Sequence, residues 1–194
     1  MDSQQDLRRA LSEKADDILA RLSPAEREAL LVKCWMSHDA RWFMAVVAEC
    51  GLQVANRLNR IAAREVGKAE ARRIARALQL PRVTGVDECL LAQETFIGLL
   101  GPDLLEYDLA KVGDDAFTLS VGRCFAYDNA SRAAVTDGFG CGIFARMTGW
   151  LDALGLTYQL TPSTDECLKA RERECTHTVT LEPVASQAPR EPGG

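Results

Sequence analysis

The amino-acid sequence predicts an α+β fold: an N-terminal helical bundle followed by a small, mostly antiparallel sheet with one packed helix. Three observations carry this. Up to Pro102 the apolar residues recur at helical spacing. Beyond it, short alternating segments separated by turn residues such as Gly113-Asp114-Asp115 take over. The 194 residues suffice for one good core or two small domains. The expected organisation is a helical region over 1–101, a cysteine-containing α+β domain of small-molecule- or metal-binding type over 102–183, and a disordered tail over 184–194, rich in Pro, Gly and polar residues.

The elements follow in order. Residues 6–22 carry Leu7, Leu11, Ile18 and Leu22 at roughly helical spacing, with charges between them. Ser23-Pro24-Ala25-Glu26 reads as a helix start: Ser23 caps, Pro24 suits the first helical position, and Glu26 completes a capping box. Leu30, Leu31, Cys34 and Trp35 form an apolar stripe. Ser37 or Asp39 is expected to cap a further segment bearing Trp42, Phe43, Val46, Val47 and Cys50, and Gly51 marks a break. Leu52, Ala55, Leu58, Ala62 and Val66 continue a helical face that Gly67 is expected to end. Residues 68–80 form another helix, stopped by Pro81. Thr84 or Asp87 opens a helix through Leu90, Leu91, Ile97 and Leu100, ended by Gly101-Pro102. Residues 104–111 and 116–121 read as two strands joined by a tight turn, 139–154 as a helix, and 156–160 as a strand. Residues 175–181 alternate Thr176, Thr178 and Thr180 with His177 and Val179, as a last strand does.

The net charge of -5 argues against a general nucleic-acid binder. No run approaches the ~20 apolar residues a membrane span needs, and the polar residues 1–14 do not read as a secretory signal. Seven cysteines, an odd number, exclude a complete set of intrachain disulfides. The expected location is the cytoplasm, where thiols stay reduced.

The cysteines hold the main chemical signal. Sixteen residues separate Cys124 from Cys141, twenty-five separate Cys141 from Cys167, and seven separate Cys167 from Cys175. None is a C-x-x-C pair, so no common zinc-finger or ferredoxin spacing applies. Their places relative to the expected elements let them converge at one end of a small sheet. There zinc would take four thiolates tetrahedrally, or an iron–sulfur cluster would use the same ligands. Three cysteines with His177 would also serve. The competing reading is four separate buried thiols, since free cysteine behaves as a small apolar residue. Cys34, Cys50 and Cys89 sit on apolar stripes and read as core.

A second cluster surrounds His38. His38 and Asp39 can do acid–base work, since imidazole titrates near neutral pH, and Trp35 and Trp42 flank them. Asn56, Asn59 and Arg60 are spaced to face this stretch from the following helix. The plainer reading makes Asp39 a cap, Arg41 solvated and the aromatics core. Gly138-Phe139-Gly140-Cys141-Gly142 precedes a helix without dinucleotide-binding context, and its glycines read as a turn that places Cys141. The basic stretch of Arg57, Arg60, Arg64, Lys68, Arg72, Arg73 and Arg76, interleaved with Glu65 and Glu70, reads as a solvated face.

Residues 35–43, with Gly51 and Ala55-Asn56-Arg57-Leu58-Asn59, resemble the N-terminal signature of an uncharacterised cytosolic protein family of bacteria and archaea. The four cysteines resemble that family's C-terminal half. Residues 167–181 are similar, more distantly, to the end of the 4-vinyl-reductase-like small-molecule-binding domain. The L-2-amino-thiazoline-4-carboxylate hydrolases look alike in their leading helices and closing small-molecule domain. The resemblance spans roughly residues 24–182. It implies a shared four-cysteine site and gives functional weight to Trp35, His38, Asp39, Trp42 and Asn59. One departure stands out: the small-molecule domain usually has a glycine in the turn before its last cysteine, and Lys169-Ala170-Arg171-Glu172-Arg173-Glu174 has none.

Three functions are therefore expected in competition. The first is a metal-binding ligand-binding or accessory protein holding zinc or an iron–sulfur cluster on Cys124, Cys141, Cys167 and Cys175, with homodimerisation through the helical half. The second is a metal-assisted hydrolase that opens a C–N bond in a small heterocycle or amide, with His38 or Asp39 as base. The third is a metal-free sensor that binds an apolar ligand among Trp35, Trp42, Phe43 and the C-terminal helix. The expected ligand- or cofactor-binding residues are Trp35, Trp42 and Asn59.

Overall fold

The computed structural model describes residues 2–182, and the tail expected over 184–194 lies outside them. Six α-helices and four strands run in the order α1 (Asp2–Leu19), α2 (Pro24–Cys50), α3 (Leu52–Leu78), α4 (Val86–Leu100), β1 (Leu105–Lys111), β2 (Ala116–Cys124), α5 (Phe125–Arg132), α6 (Gly142–Ala153), β3 (Tyr158–Thr161) and β4 (Thr176–Leu181). Single 3-10 turns occupy Pro102–Leu104 and Lys169–Arg171. The expected α+β class holds, with helices first and an antiparallel sheet after them. Among the described residues no helix is long and apolar enough to cross a membrane.

The chain divides into two compact units, Met1–Ala40 and Arg41–Gly194. In the first, the capping box at Ser23 forms as expected. The Glu26 N–H donates to Ser23 Oγ at 3.2 Å, and Ser23 N–H donates back to Glu26 Oε2 at 2.9 Å. The Ser23 N–H bond, with a second from the Ser23 hydroxyl to Glu26 Oε2 at 2.8 Å, holds the Glu26 carboxyl below its ordinary range.

The second unit is built on the sheet, in the order β1-β2-β4-β3 and antiparallel throughout. Alternation decides which face is covered. Phe117, Leu119 and Val121 of β2 and Val179 and Leu181 of β4 are buried with Phe96 and Ile97 of α4 and Phe144, Met147 and Leu151 of α6. The opposite face carries Thr118, Ser120, Thr176, Thr178 and Thr180, all half-buried.

Two expected helix ends are absent. No junction forms at 37–39; α2 runs through Ser37, His38 and Asp39. That stretch holds no Gly or Pro, and its polar side chains do not stop a helix. The break comes at Gly51, whose φ of 81° suits glycine alone. Likewise α3 runs through Gly67. Gly67 is a crossing point: a Cβ there would collide with the Arg146 carbonyl oxygen on α6, and one at Gly149 with the Arg64 carbonyl oxygen on α3. The two glycines let the backbones of α3 and α6 touch.

That close crossing also buries a polar group which the sequence reading left in solvent. Glu70 is 8 % exposed. Its carboxylate accepts two bonds from Arg146, the Nε bond at 2.7 Å, and a third from Trp150 Nε1 at 3.2 Å. Cys89 is fully buried as expected, whereas Cys34 and Cys50 are exposed, because α2 buries none of its residues.

Candidate four-cysteine site

Cys124, Cys141, Cys167 and Cys175 come from three segments of the second unit. Cys124 ends β2 and is the N-cap residue of α5. Cys141 is the N-cap residue of α6. Cys167 and Cys175 lie in the long connection from β3 to β4, on either side of the 3-10 turn. The first three are buried and Cys175 half-buried, and all seven cysteines are free thiols. The helix α5 escaped the sequence reading because its eight residues fall below the window in which helical periodicity declares itself.

Backbone contacts hang these segments on one another. The Cys167 N–H donates to the Phe139 carbonyl at 2.9 Å, two residues before Cys141. The Val121 N–H donates to the Cys175 carbonyl at 2.8 Å, three residues before Cys124. Lys169 Nζ donates to the Gly122 carbonyl at 2.5 Å and lies 6.0 Å from the Tyr127 ring centroid.

The loop before Cys141 is held from α3 by a single amide. Asn56, 8 % exposed, donates through Nδ2 to the Gly138 carbonyl at 2.7 Å and accepts the Gly140 N–H on Oδ1 at 3.0 Å. Gly138 has φ 76°, a turn conformation that favours glycine. A Cβ on Gly140 would press on Asn56 at 3.2 Å, and one on Gly142 would overlap Asn59 Nδ2 at 2.8 Å. The glycines around Cys141 therefore make room for two asparagines of α3. Nearby, Arg60 Nη1 donates to the Asp165 carbonyl at 2.5 Å, two residues before Cys167.

The electrostatics tie the four sulfurs together. Burial pushes the Cys141 thiol up to about 12 and Cys175 to about 11, and it raises Cys124 as well. A negative charge on Cys124, Cys167 or Cys175 raises another of the four: Cys167, Cys175 and Cys124 act on Cys141, Cys167 and Cys124 on Cys175, and Cys167 on Cys124. Opposing groups favour the thiolate. The backbone N–H groups of Tyr127 and Ala126 act on Cys124, that of Phe144 on Cys141, and the Lys169 cation on Cys175. The sulfurs are thus within electrostatic reach of one another, yet among the described residues no group of three or more His, Cys, Asp or Glu side chains is arranged to hold a metal ion.

His177 sits in the core beside this site. It is fully buried, its Nδ1 donates to the Pro162 carbonyl at 3.0 Å, and its ring lies 3.8 Å from that of Phe144, centroid to centroid. Burial lowers its pKa.

The remaining sequence-derived residues lie elsewhere. Trp35, His38 and Asp39 are exposed on α2 within the first unit. His38 and Asp39 are consecutive on a helix, so their side chains point about 100° apart. Trp42, in the second unit, is 65 % exposed. Asn59 is half-buried against Gly142. A cavity of about 50 Å³, lined by Ile97, Leu105, Leu119, Phe125, Met147 and Trp150 among others, opens between α4, the sheet and α6. Ligand pockets usually exceed ~300 Å³.

The fold and this site define a class: an α+β protein in which helices cover one sheet face, with free thiols at the starts of two helices and in the connection between β3 and β4. Residues 22–141 match the model of DUF6125, a family of unknown function, and the chain belongs to that family. The match takes in Cys124 and Cys141 and stops short of Cys167 and Cys175. No curated protein matches the chain.

Proposed function

We propose that this is a metal-binding accessory or ligand-binding protein of the cytoplasm, in which Cys124, Cys141, Cys167 and Cys175 close on one zinc ion or an iron–sulfur cluster. The observation that carries this reading is that four free thiols, from the starts of α5 and α6 and from the connection between β3 and β4, lie within electrostatic reach, with Cys124, Cys167 and Cys175 each acting on another of the set. Backbone N–H groups at the starts of α5 and α6 and the Lys169 cation favour the thiolate forms that a metal requires. Binding would draw the sulfurs in to about 2.3 Å from zinc. Four thiolates leave no open coordination position, so the centre is structural and the reading is one of binding rather than metal-assisted hydrolysis. Free thiols in this number suit a reducing compartment.

The test is anaerobic purification, elemental analysis and a visible spectrum. One zinc per chain without colour identifies a closed structural site, and iron with acid-labile sulfide identifies a cluster. Each Cys→Ser change at the four positions then lowers the metal content. A protein without metal that also fails to take up added Co(II) with thiolate charge-transfer absorption would remove the proposal.

A further inference from the structure

We infer that the first unit, Met1–Ala40, is a dimerisation arm whose occupant is a second copy of this chain. The unit is helical yet exposes its apolar stripes. Every residue from 4 to 20 is exposed. On α1, Leu7, Leu11 and Ile18 are 60, 57 and 56 % exposed. They stand four and seven residues apart, the a/d spacing of a helix that packs along another, and Lys14 fills the one position between them. On α2, Leu30, Leu31 and Trp35 are also exposed. Helices in proteins draw most of their stability from packing of an amphipathic face, so a stable 18-residue α1 calls for a packed face.

Two observations select a second copy as the occupant. The first is area. With Leu19, these seven side chains leave on the order of 650 Å² of apolar surface in solvent, close to the ~800 Å² each partner contributes to a stable interface of ordinary size. The second is charge. Residues 1–40 carry eight acidic and six basic side chains, interspersed along both helices. A nucleic acid calls for a basic face, and a strongly charged protein partner for a face of one opposite sign. A nearly balanced mixture is compatible with itself, as a two-fold symmetric interface requires.

The experiment is light scattering and sedimentation on the full chain over a range of concentrations, with Leu11→Glu and Leu31→Glu variants. The wild type is expected at twice the 21.3 kDa chain mass. Each substitution, made at an exposed site of the single chain, weakens the dimer by at least ~10-fold, because a buried leucine is lost from each copy. Hydrogen exchange gives a second measure that survives poor behaviour of the variants: amides of 4–20 in the wild type slow as concentration rises. A wild type at single-chain mass throughout, or a dimer that neither substitution weakens and whose α1 amides exchange at a constant rate, would overturn the inference.

Discussion

Replacing Asn56 by alanine removes the one side chain of α3 that grips both sides of Phe139. Two hydrogen bonds disappear, to the Gly138 carbonyl and from the Gly140 N–H. Each contributes about 0.5–1.5 kcal/mol net, and leaving the buried Gly140 N–H without an acceptor costs about 1–3 kcal/mol more. The expected loss is about 2–6 kcal/mol, or a fall in Tm of roughly 4–24 °C for a unit of this size. Urea unfolding of the metal-free protein, followed by tryptophan fluorescence, measures it without involving an ion. Asn56→Asp separates the two bonds: it keeps an acceptor for Gly140 and sets a carboxylate against the Gly138 carbonyl. The aspartate variant is therefore expected to recover part of its stability on acidification, as the carboxyl becomes a donor. If alanine costs less than about 0.5 kcal/mol, the clamp is not what positions this loop. If the four cysteines hold a metal as proposed, the same alanine is expected to weaken its binding by about 10–100-fold, as loss of an outer support does.

Three other outcomes follow from the geometry. Gly67→Ala drives a methyl into the Arg146 carbonyl and is expected to destabilise by at least about 1–3 kcal/mol in chemical denaturation; Gly98→Ala, where a Cβ meets nothing within 4 Å, is the control expected to be neutral or stabilising. Glu172, with φ 54°, occupies the glycine-less turn between Cys167 and Cys175, and Glu172→Gly is expected to raise stability by about 0.5–1 kcal/mol, read as a higher urea midpoint at unchanged slope. Because burial lowers the His177 pKa, the unfolded chain takes up the proton first, so stability is full above the ordinary value of 6.5 and falls as pH drops through it, by at most ~1.4 kcal/mol per pH unit. His177→Gln is expected to flatten that slope, and a slope left intact would assign it to another group.

The α+β class, with helices before strands, could be read from the sequence because it rests on local signals: the capping box at Ser23, the Gly101-Pro102 stop and the threonine alternation of β4. What escaped was set by contacts distant in sequence. Gly67 looked like a helix end because glycine is a poor helix former, and its reason for being there is a carbonyl of α6, 79 residues on. Glu70 looked solvated because its neighbours are charged, and its partners Arg146 and Trp150 lie more than seventy residues away. Within the candidate site, cysteine number and the placing role of the 138–142 glycines were visible beforehand. The grip of Asn56 and the position of Lys169 were not, since no periodicity announces a side chain that bonds a loop. The apolar stripe of Leu30, Leu31, Cys34 and Trp35 was visible as well, but a stripe in sequence does not say whether its cover comes from the same chain.

The outer face of the sheet has a consequence for the protein's behaviour in water. Thr118 lies opposite Thr178, Ser120 opposite Thr176 with the two hydroxyls 2.9 Å apart, and Gln159 opposite Thr180. Threonine keeps the β-branched shape that strands favour and ends it in a group that hydration satisfies. Half-buried as they are, these threonines leave the accessible part of the face able to bond to water. Exchanging these threonines for valine would preserve strand shape and propensity alike, so the harm would appear as clumping of folded molecules rather than as unfolding.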